Sequence, residues 1–565
     1  MKKTQKILKL ILLIGTILAT IKVIFVDYSM DEEYQLLMSY RQLSGDSLFR
    51  TMWEPHQTSA FLCTFLLRLY YLITGTYTGI VLFLHFFTVL IQFALCFWLY
   101  HVLCRFMEKD YSFLISLASF QLVPKLIQIP EFSNLQLWFL MILTLSLLEY
   151  QTNEKYALHS VWILLAGIAM SLEVLSYPSS LLLFPYVLIH LYISSKKSWK
   201  SPILLSLTCA GCALVYLAVI FYRISPSDFI RNIKYIVTLD LTHDLTLSAG
   251  TRLLLLLKQL FEEVSLVLLC SLFSLFCLLP YCKKTGEKLK DQRILFVTLT
   301  VLFSEFLQLF FWLVLQFCYE KPQLHLFTCL MAGIVLWKDA GSKQHYLYFG
   351  ILASVITLMA VVYASDLSFY YSIPHALLGS VFCLVTLVFA LSNRYPLTGR
   401  PLILFLLCSF VIVSMVGKGF TIRGGRGNNI TSIRNVMRSG PAIGIFSTYM
   451  CCHINDINNK DFQKYIKPGE KVLIVTNQVH GPGTTPYMVI DAEICHFSIV
   501  DPTSYDERLL TYWDLYPEKE PNVIVVDCWY GSLLEQPDSW IMQYIENDFH
   551  YSEVIDGEYV RFYKK

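Results

Sequence analysis

The chain predicts a polytopic α-helical membrane protein of about thirteen transmembrane helices, with a small C-terminal α/β domain outside the membrane. Three observations carry that prediction. Of 565 residues, 55% are hydrophobic and 15% charged, with a mean hydropathy of +0.54, whereas an ordinary soluble domain is about 25% charged. Apolar segments long enough to span a bilayer recur along the first three quarters of the chain. Lysine and arginine collect in alternate connections between them.

The first apolar segment, 7–26, follows Lys2, Lys3, Lys6 and Lys9. No small-residue cleavage pattern follows it, so it reads as a retained first helix rather than a signal peptide. Further segments lie at 78–104, 111–129, 132–150, 157–177, 178–195, 201–222, 252–281, 293–318, 323–337, 344–363, 371–391 and 401–418. With the N-terminus inside, the inner connections hold Arg105 and Lys109, Lys155, Lys196 to Lys200, Lys283 to Arg293, Lys338 and Lys343, and Arg394 and Arg400. The short outer connections hold little beyond Lys125 or Lys321. An odd number of spans then places the C-terminal end outside, in a multi-pass protein of the cell membrane.

Two domains follow: residues 1–418 form the membrane part and 419–565 an extracytoplasmic α/β unit. Two outer loops are long. The first, 27–77, holds two amphipathic stretches at about 30–43 and 58–74, expected to lie along the membrane surface. The second, 223–251, is polar and mixed in charge. In the tail, Lys471–Thr476 and Asn522–Asp527 read as buried strands and Asp538–Asn547 as a helix. Glu553–Tyr563 reads as a hairpin turning at Asp556-Gly557.

A net charge of +2 gives no basic surface for nucleic acid. Twelve of the 16 cysteines precede residue 420, mostly in apolar runs, where they pack as small hydrophobes; the Cys209/Cys212 pair is read the same way. Cys451, Cys452, Cys495 and Cys528 lie where an oxidising compartment would let them pair.

Chemistry concentrates just after the first helix. Asp31-Glu32-Glu33-Tyr34 opens the first outer loop, Gly45-Asp46 follows, and then Trp53-Glu54-Pro55-His56-Gln57. One reading is structural: Ser29-Met30-Asp31-Glu32 is a capping box and Pro55 opens the next helix. The other is functional, because acidic groups held at a membrane boundary are costly unless used. The combination resembles the GT-C membrane glycosyltransferases, nearest to the protein O-mannosyltransferase and aminoarabinose-transferase branch. The aminoarabinose branch carries Glu-Lys-Pro where this chain has Glu54-Pro55-His56, so phosphate contacts must come from elsewhere.

The resemblance implies inverting transfer of a sugar from a polyprenyl-phosphate donor to an envelope acceptor (glycan, lipid or protein) on the outer face. It assigns Asp31 as catalytic base by position. Glu32 and Glu54 follow as catalytic support, either positioning the acceptor or holding a divalent metal. A carboxylate beside apolar surface has the raised basicity this step needs. No cofactor is certain; a divalent metal is one option.

Further candidates for contact with substrate are Tyr34, His56 and Gln57 in the first loop. Lys125 and Glu131 flank a short outer turn, as a mutual pair or as a cavity lining. Glu173 lies near the outer end of its helix, where an inter-helix hydrogen bond is the alternative. His325 is either structural or a phosphate ligand. Arg231 and Lys234 in the second loop meet the leaving phosphate or lipid headgroups. Glu305 reads as a structural polar contact. Arg423, Arg426, Arg434 and Arg438 read as a headgroup-bound linker, and Asn429 begins a glycosylation sequon. His453, His480 and His496 show no ligand spacing. Rival readings are a polymerase or ligase using a lipid-diphosphate oligosaccharide, a transporter or flippase, and a membrane scaffold. The chain lacks the repeats and matched helix breaks of transporters.

Overall fold

In a bilayer every backbone polar group must be satisfied within the protein, so long apolar runs become helices. The computed structural model describes residues 2–26, 28–153, 158–239, 249–314, 323–364, 373–396, 399–422, 430–475, 488, 491–498, 506–528 and 533–565. Lys155, Asp240, His243, Asp244, Lys321, Arg423, Arg426, Asn429 and His480 lie outside the described residues, as does the side chain of Lys125.

Each predicted span coincides with helix. Ten helices among the described residues are long and apolar enough to cross a membrane, and two shorter apolar helices cover Pro178–Ser194 and Leu347–Tyr363. Where a further span is expected at 111–129, the helix α5 (Lys109–Gln121) stops after 13 residues. That is about 20 Å, short of the roughly 30 Å hydrocarbon core. Pro124, which cannot continue a helix, ends it, and residues 122–131 run as a folded connection inside the protein.

The remaining helices of the first half are α1 (Lys2–Phe25), α2 (Met30–Leu43), α3 (Phe61–Thr74), α4 (Ile80–Leu103), α6 (Phe132–Thr152), α7 (His159–Ser176), α8 (Leu183–Ser194), α9 (Lys200–Phe221) and α10 (Pro226–Leu239). At the centre of the bundle stand α6 and the helix Leu377–Arg394, both buried along nearly their whole length. Leu377–Arg394 packs tightly on Leu324–Leu336 at Gly333, where a Cβ would sit 2.2 Å from the Cys383 sulfur; glycine is what lets the two backbones approach. By contrast, α9 and the helix Ala249–Thr285 turn most of their apolar side chains outward, as lipid-facing helices do.

The tail carries a five-stranded sheet in the order β4-β3-β5-β7-β6. Strands β3 (Lys471–Val475), β4 (Glu493–Ile494) and β5 (Val523–Asp527) are parallel. The hairpin of β6 (Glu553–Asp556) and β7 (Val560–Lys564) joins antiparallel at β5. A two-stranded ladder, β1 (Asn435–Val436) with β2 (Phe446–Ser447), precedes it. Alternation along the strands divides the core. Leu473, Val475, Ile524 and Val526 face the helices Arg508–Leu515 and Trp540–Asn547. Val472, Ile474, Val523 and Val525 face the helix Tyr449–Tyr465 and share one core with Leu36, Leu37 and Tyr40 of α2. The sequence places two surface helices in the first loop, and both form. Only α3 keeps an apolar face exposed, at Phe65, Leu72 and Ile73; α2 is roofed by the tail and buried from Glu32 to Arg41. Cys451, Cys452, Cys495 and Cys528 are free thiols, and Cys209 donates to the Gly167 carbonyl.

Candidate functional site

The first loop, the second-loop helix α10 and the tail gather on one end of the bundle, here the loop face. Two constellations organise it, one on each side of α2.

At the start of α2 the capping box forms. Glu32 Oε2 accepts from the Ser29 backbone N–H at 2.7 Å, and Oε1 accepts from the Gln128 N–H at 2.7 Å. His85 of α4 reaches the same Oε1 with Nε2 at 3.4 Å, while its Nδ1 stands 2.7 Å from the Ile24 carbonyl. A carbonyl accepts only, so Nδ1 carries the hydrogen there. Burial pushes the Glu32 carboxyl up, but His85 and the two backbone donors outweigh it and hold it below its ordinary value. Glu32 therefore ties α1, α2, α4 and the 122–131 connection together. Beside it, Lys22, Ser29, Leu126 and Gln128 enclose a cavity of about 10 Å³, room for one water. A second of the same size is lined by Gln92, Gln128, Asn134 and Lys418. Lys418 is buried, 3.2 Å from both Thr20 Oγ1 and the Phe120 carbonyl and 4.4 Å from the Phe120 ring centre.

Asp31 differs from its neighbours. It sits in the first turn of the same helix but is only half-buried, whereas Glu32 and Glu33 are enclosed.

A directional hydrogen-bond chain runs across four elements, the turn Ile373–Ala376, α6, the turn Pro178–Leu182 and α7. His375 Nδ1 donates to Gln136 Oε1. Gln136 Nε2 donates to Ser180 Oγ at 3.0 Å, and Ser180 Oγ to Glu173 Oε1 at 3.1 Å. All four side chains are buried. The other Glu173 oxygen finds no hydrogen bond among the described residues. His56 stacks on Phe132 at 4.1 Å and meets Tyr177, which also touches the His375 ring at 5.6 Å. Tyr34 joins Phe132 and Tyr177 in one small core. The structure thus brings Tyr34, His56 and Glu173 into one neighbourhood.

The second constellation lies beyond the other end of α2. Gly45, at φ +106°, turns the chain sharply, so that Asp46 returns to Arg41. Arg41 Nε donates to Asp46 Oδ2 at 2.8 Å, Nη1 to Glu54 Oε1 at 2.5 Å and Nη2 to the Thr51 carbonyl at 2.7 Å. Lys519 of the tail bridges Asp46 at 2.7 Å and Glu493 at 2.8 Å. Arg41 and Lys519 hold Asp46 below its ordinary value against the effect of burial. Glu54 is the surplus carboxylate; burial pushes it up to about 7 although Arg41 pulls the other way. Trp53 is fully buried between Tyr235 of α10 at 5.1 Å and Phe497 of the tail at 5.6 Å; its backbone N–H donates to the Phe497 carbonyl at 3.0 Å and its indole N–H to the Arg50 carbonyl at 2.9 Å.

The other expected site residues are spread out. Gln57 accepts from the Phe49 N–H at 2.7 Å and donates to the Glu54 carbonyl. Glu131 caps α6, accepting from Ser133 and Asn134 N–H groups. His325 lies deeper in the bundle, 3.5 Å from Ser414 Oγ and against Trp312 and Phe410. Glu305 accepts from Ser409 Oγ. Arg231 pairs with Asp228 at 3.0 Å on a half-exposed face of α10, and Lys234 is exposed. Arg434 donates to the Thr431 carbonyl, and the Arg438 N–H meets Asp456. His453 pairs with Glu558 at 3.2 Å, and His496 accepts from the Ser498 N–H. Among the described residues no three His, Cys, Asp or Glu side chains converge as a metal-ligand set. Glu32 has both oxygens engaged, and Glu54 is held by Arg41, so neither extends Asp31 into such a set.

Sequence reasoning did not single out Arg41, His85, Gln136, Ser180, His375 or Lys418. Each lies in an apolar or ordinary helical run, and its partners come from distant segments. Lys418 alone left a signal, a lysine within the last apolar span.

No family model matches this chain, and no curated protein matches it. Among solved structures it is similar to the crystal structure of the Archaeoglobus fulgidus oligosaccharyltransferase in complex with zinc and sulfate. The match has 13% identity, covers 91% of this chain and 67% of that one, and has a TM-score of 0.45. A likeness of that score assigns no role to any residue.

Proposed function

We propose that this chain is a GT-C-type membrane glycosyltransferase. It moves a sugar from a polyprenyl-phosphate carrier to a cell-envelope acceptor at the loop face, which faces outward. The observation that supports this most is the contrast within one helical turn: Glu32 is locked into the framework while Asp31 stays half-exposed. A general base must reach its substrate proton, and of the three carboxylates assigned to catalysis only Asp31 is not buried.

In this reading Asp31 takes the acceptor hydroxyl proton. The acceptor oxygen bonds the anomeric carbon as the bond from that carbon to the phosphate oxygen breaks, with inversion. The phosphate leaves with the electron pair. Glu32 positions the helix that carries Asp31, and Glu54 positions the loop through Arg41. Tyr34, His56 and Glu173 line the acceptor side. Arg231 exchanges its exposed pairing with Asp228, worth little in water, for the leaving phosphate, with Lys234 beside it. The test is transfer from a panel of labelled polyprenyl-phosphate sugars in membranes carrying the wild type or Asp31→Asn. Label leaving the lipid with wild type alone supports the reading. Activity in Asp31→Asn at normal expression overturns the base. Label staying on every monophosphate donor turns attention to lipid-diphosphate oligosaccharides.

A further inference from the structure

A cleft of about 710 Å³ opens on the loop face between α2, α3, the end of α9 and the tail sheet. It lies at the far end of α2 from Asp31, about 20 Å along the helix. Nothing in the proposed transfer uses it. Its walls bring together Arg68 of α3, Arg223 just beyond α9, Tyr71, Tyr77 and Asp491.

The charges are unbalanced. Both arginines are exposed, and neither guanidinium makes an ion pair or hydrogen bond among the described residues. Glu493, on the same wall, is already neutralised by Lys519. Asp491 remains, held at φ +54°, a backbone conformation that is costly for a residue with a side chain. The cleft thus offers two cationic forks and one carboxylate, with a Tyr71–Tyr77 ring pair at 4.8 Å as its aromatic wall.

The position of the cleft points to the ligand. Leu72 lines it and is 73% exposed, and beside it on α3 Ile73 is 74% exposed and Phe65 61%. Apolar side chains bared this far on a surface helix mark the acyl boundary. Arg223 lies two residues beyond the end of α9, a helix long and apolar enough to span, and the ends of such helices meet the lipid headgroups. We propose that this cleft binds a membrane phospholipid by its headgroup. The phosphodiester sits between Arg68 and Arg223, guanidinium forks suiting phosphate oxygens. The hydroxyl or ammonium end of the headgroup donates to Asp491, and the acyl chains run along Leu72 and Ile73.

The test is lipid retention on the purified full-length chain, read by native mass spectrometry after mild delipidation and re-addition. The arms are phosphatidylglycerol, phosphatidylethanolamine, a diacylglycerol of the same chains, and inorganic phosphate as competitor. Arg68→Gln/Arg223→Gln is compared with the wild type, with Arg68→Lys/Arg223→Lys, and with Arg50→Gln as an exposed control. We expect one retained phospholipid, and no retention of diacylglycerol. Retention falls roughly tenfold in the Gln pair, the loss of a charge-assisted contact, partly returns in the Lys pair, and is unchanged in Arg50→Gln. Equal retention by the Gln pair, equal retention of diacylglycerol, or displacement of the lipid by millimolar inorganic phosphate overturns the proposal. Because both arginines are solvent-exposed, unchanged unfolding of the variants is the expected control. If the Gln pair does not fold, the comparison of wild type with the Lys pair and the diacylglycerol arm decides alone.

Discussion

Arg41 and Glu54 meet at 2.5 Å with both side chains removed from solvent. They belong to a row of charges, Glu54–Arg41–Asp46–Lys519–Glu493, that passes from the first loop into the tail. Three carboxylates face two cations, so the row is rigid and also one proton short of balance.

Arg41→Ala removes the cation between two buried carboxylates. Breaking a buried pair from one side costs about 3–5 kcal/mol. The expected outcome is a large drop in unfolding temperature in detergent and rapid proteolysis of the tail. Wild-type resistance in Arg41→Ala would show that the row holds nothing.

The same row sets a pH dependence. Glu54 is raised from 4.5 to about 7, so its contribution is complete below 4.5 and is lost as pH rises through 7. The slope is at most about 1.4 kcal/mol per pH unit. Asp46 is lowered, and its contribution is lost only as pH falls below the ordinary carboxylate range. Unfolding temperature between pH 5 and 8.5 should therefore fall towards the alkaline side. Glu54→Gln should flatten that fall, since a neutral amide needs no counter-charge.

Trp53→Ala empties a fully buried aromatic site shared by the first loop, α10 and the tail. The expected cost is about 3–5 kcal/mol, read as lower thermal stability with the tail becoming protease-sensitive before the bundle does.

Glu32 and Asp31 should separate in a single experiment. Glu32→Ala leaves two buried N–H groups, of Ser29 and Gln128, without their acceptor, at about 1–3 kcal/mol each. It should lower stability and transfer together. Asp31→Asn should lower transfer alone. Equal thermal shifts in both variants would remove the distinction between base and framework.

In the membrane part, the sequence determined where helices form. Hydropathy and length are local properties, and each predicted span coincides with a helix, α5 included, although Pro124 cuts it short. The same holds in the tail, where short continuous apolar runs marked the buried strands β3 and β5 and the Asp556-Gly557 turn marked the hairpin. The capping box was equally legible, because Ser29 and Glu32 are three residues apart. Tertiary structure alone decided what the polar residues do. Glu54 reads identically whether it faces a substrate or Arg41. His85, Gln136 and His375 gained meaning only when segments more than 50 residues apart met. The burial of α2 was likewise invisible, since the tail that covers it lies some 450 residues away. Local backbone preferences are written in neighbouring residues, but the partner of a buried charge is written in whichever distant segment the fold brings to it.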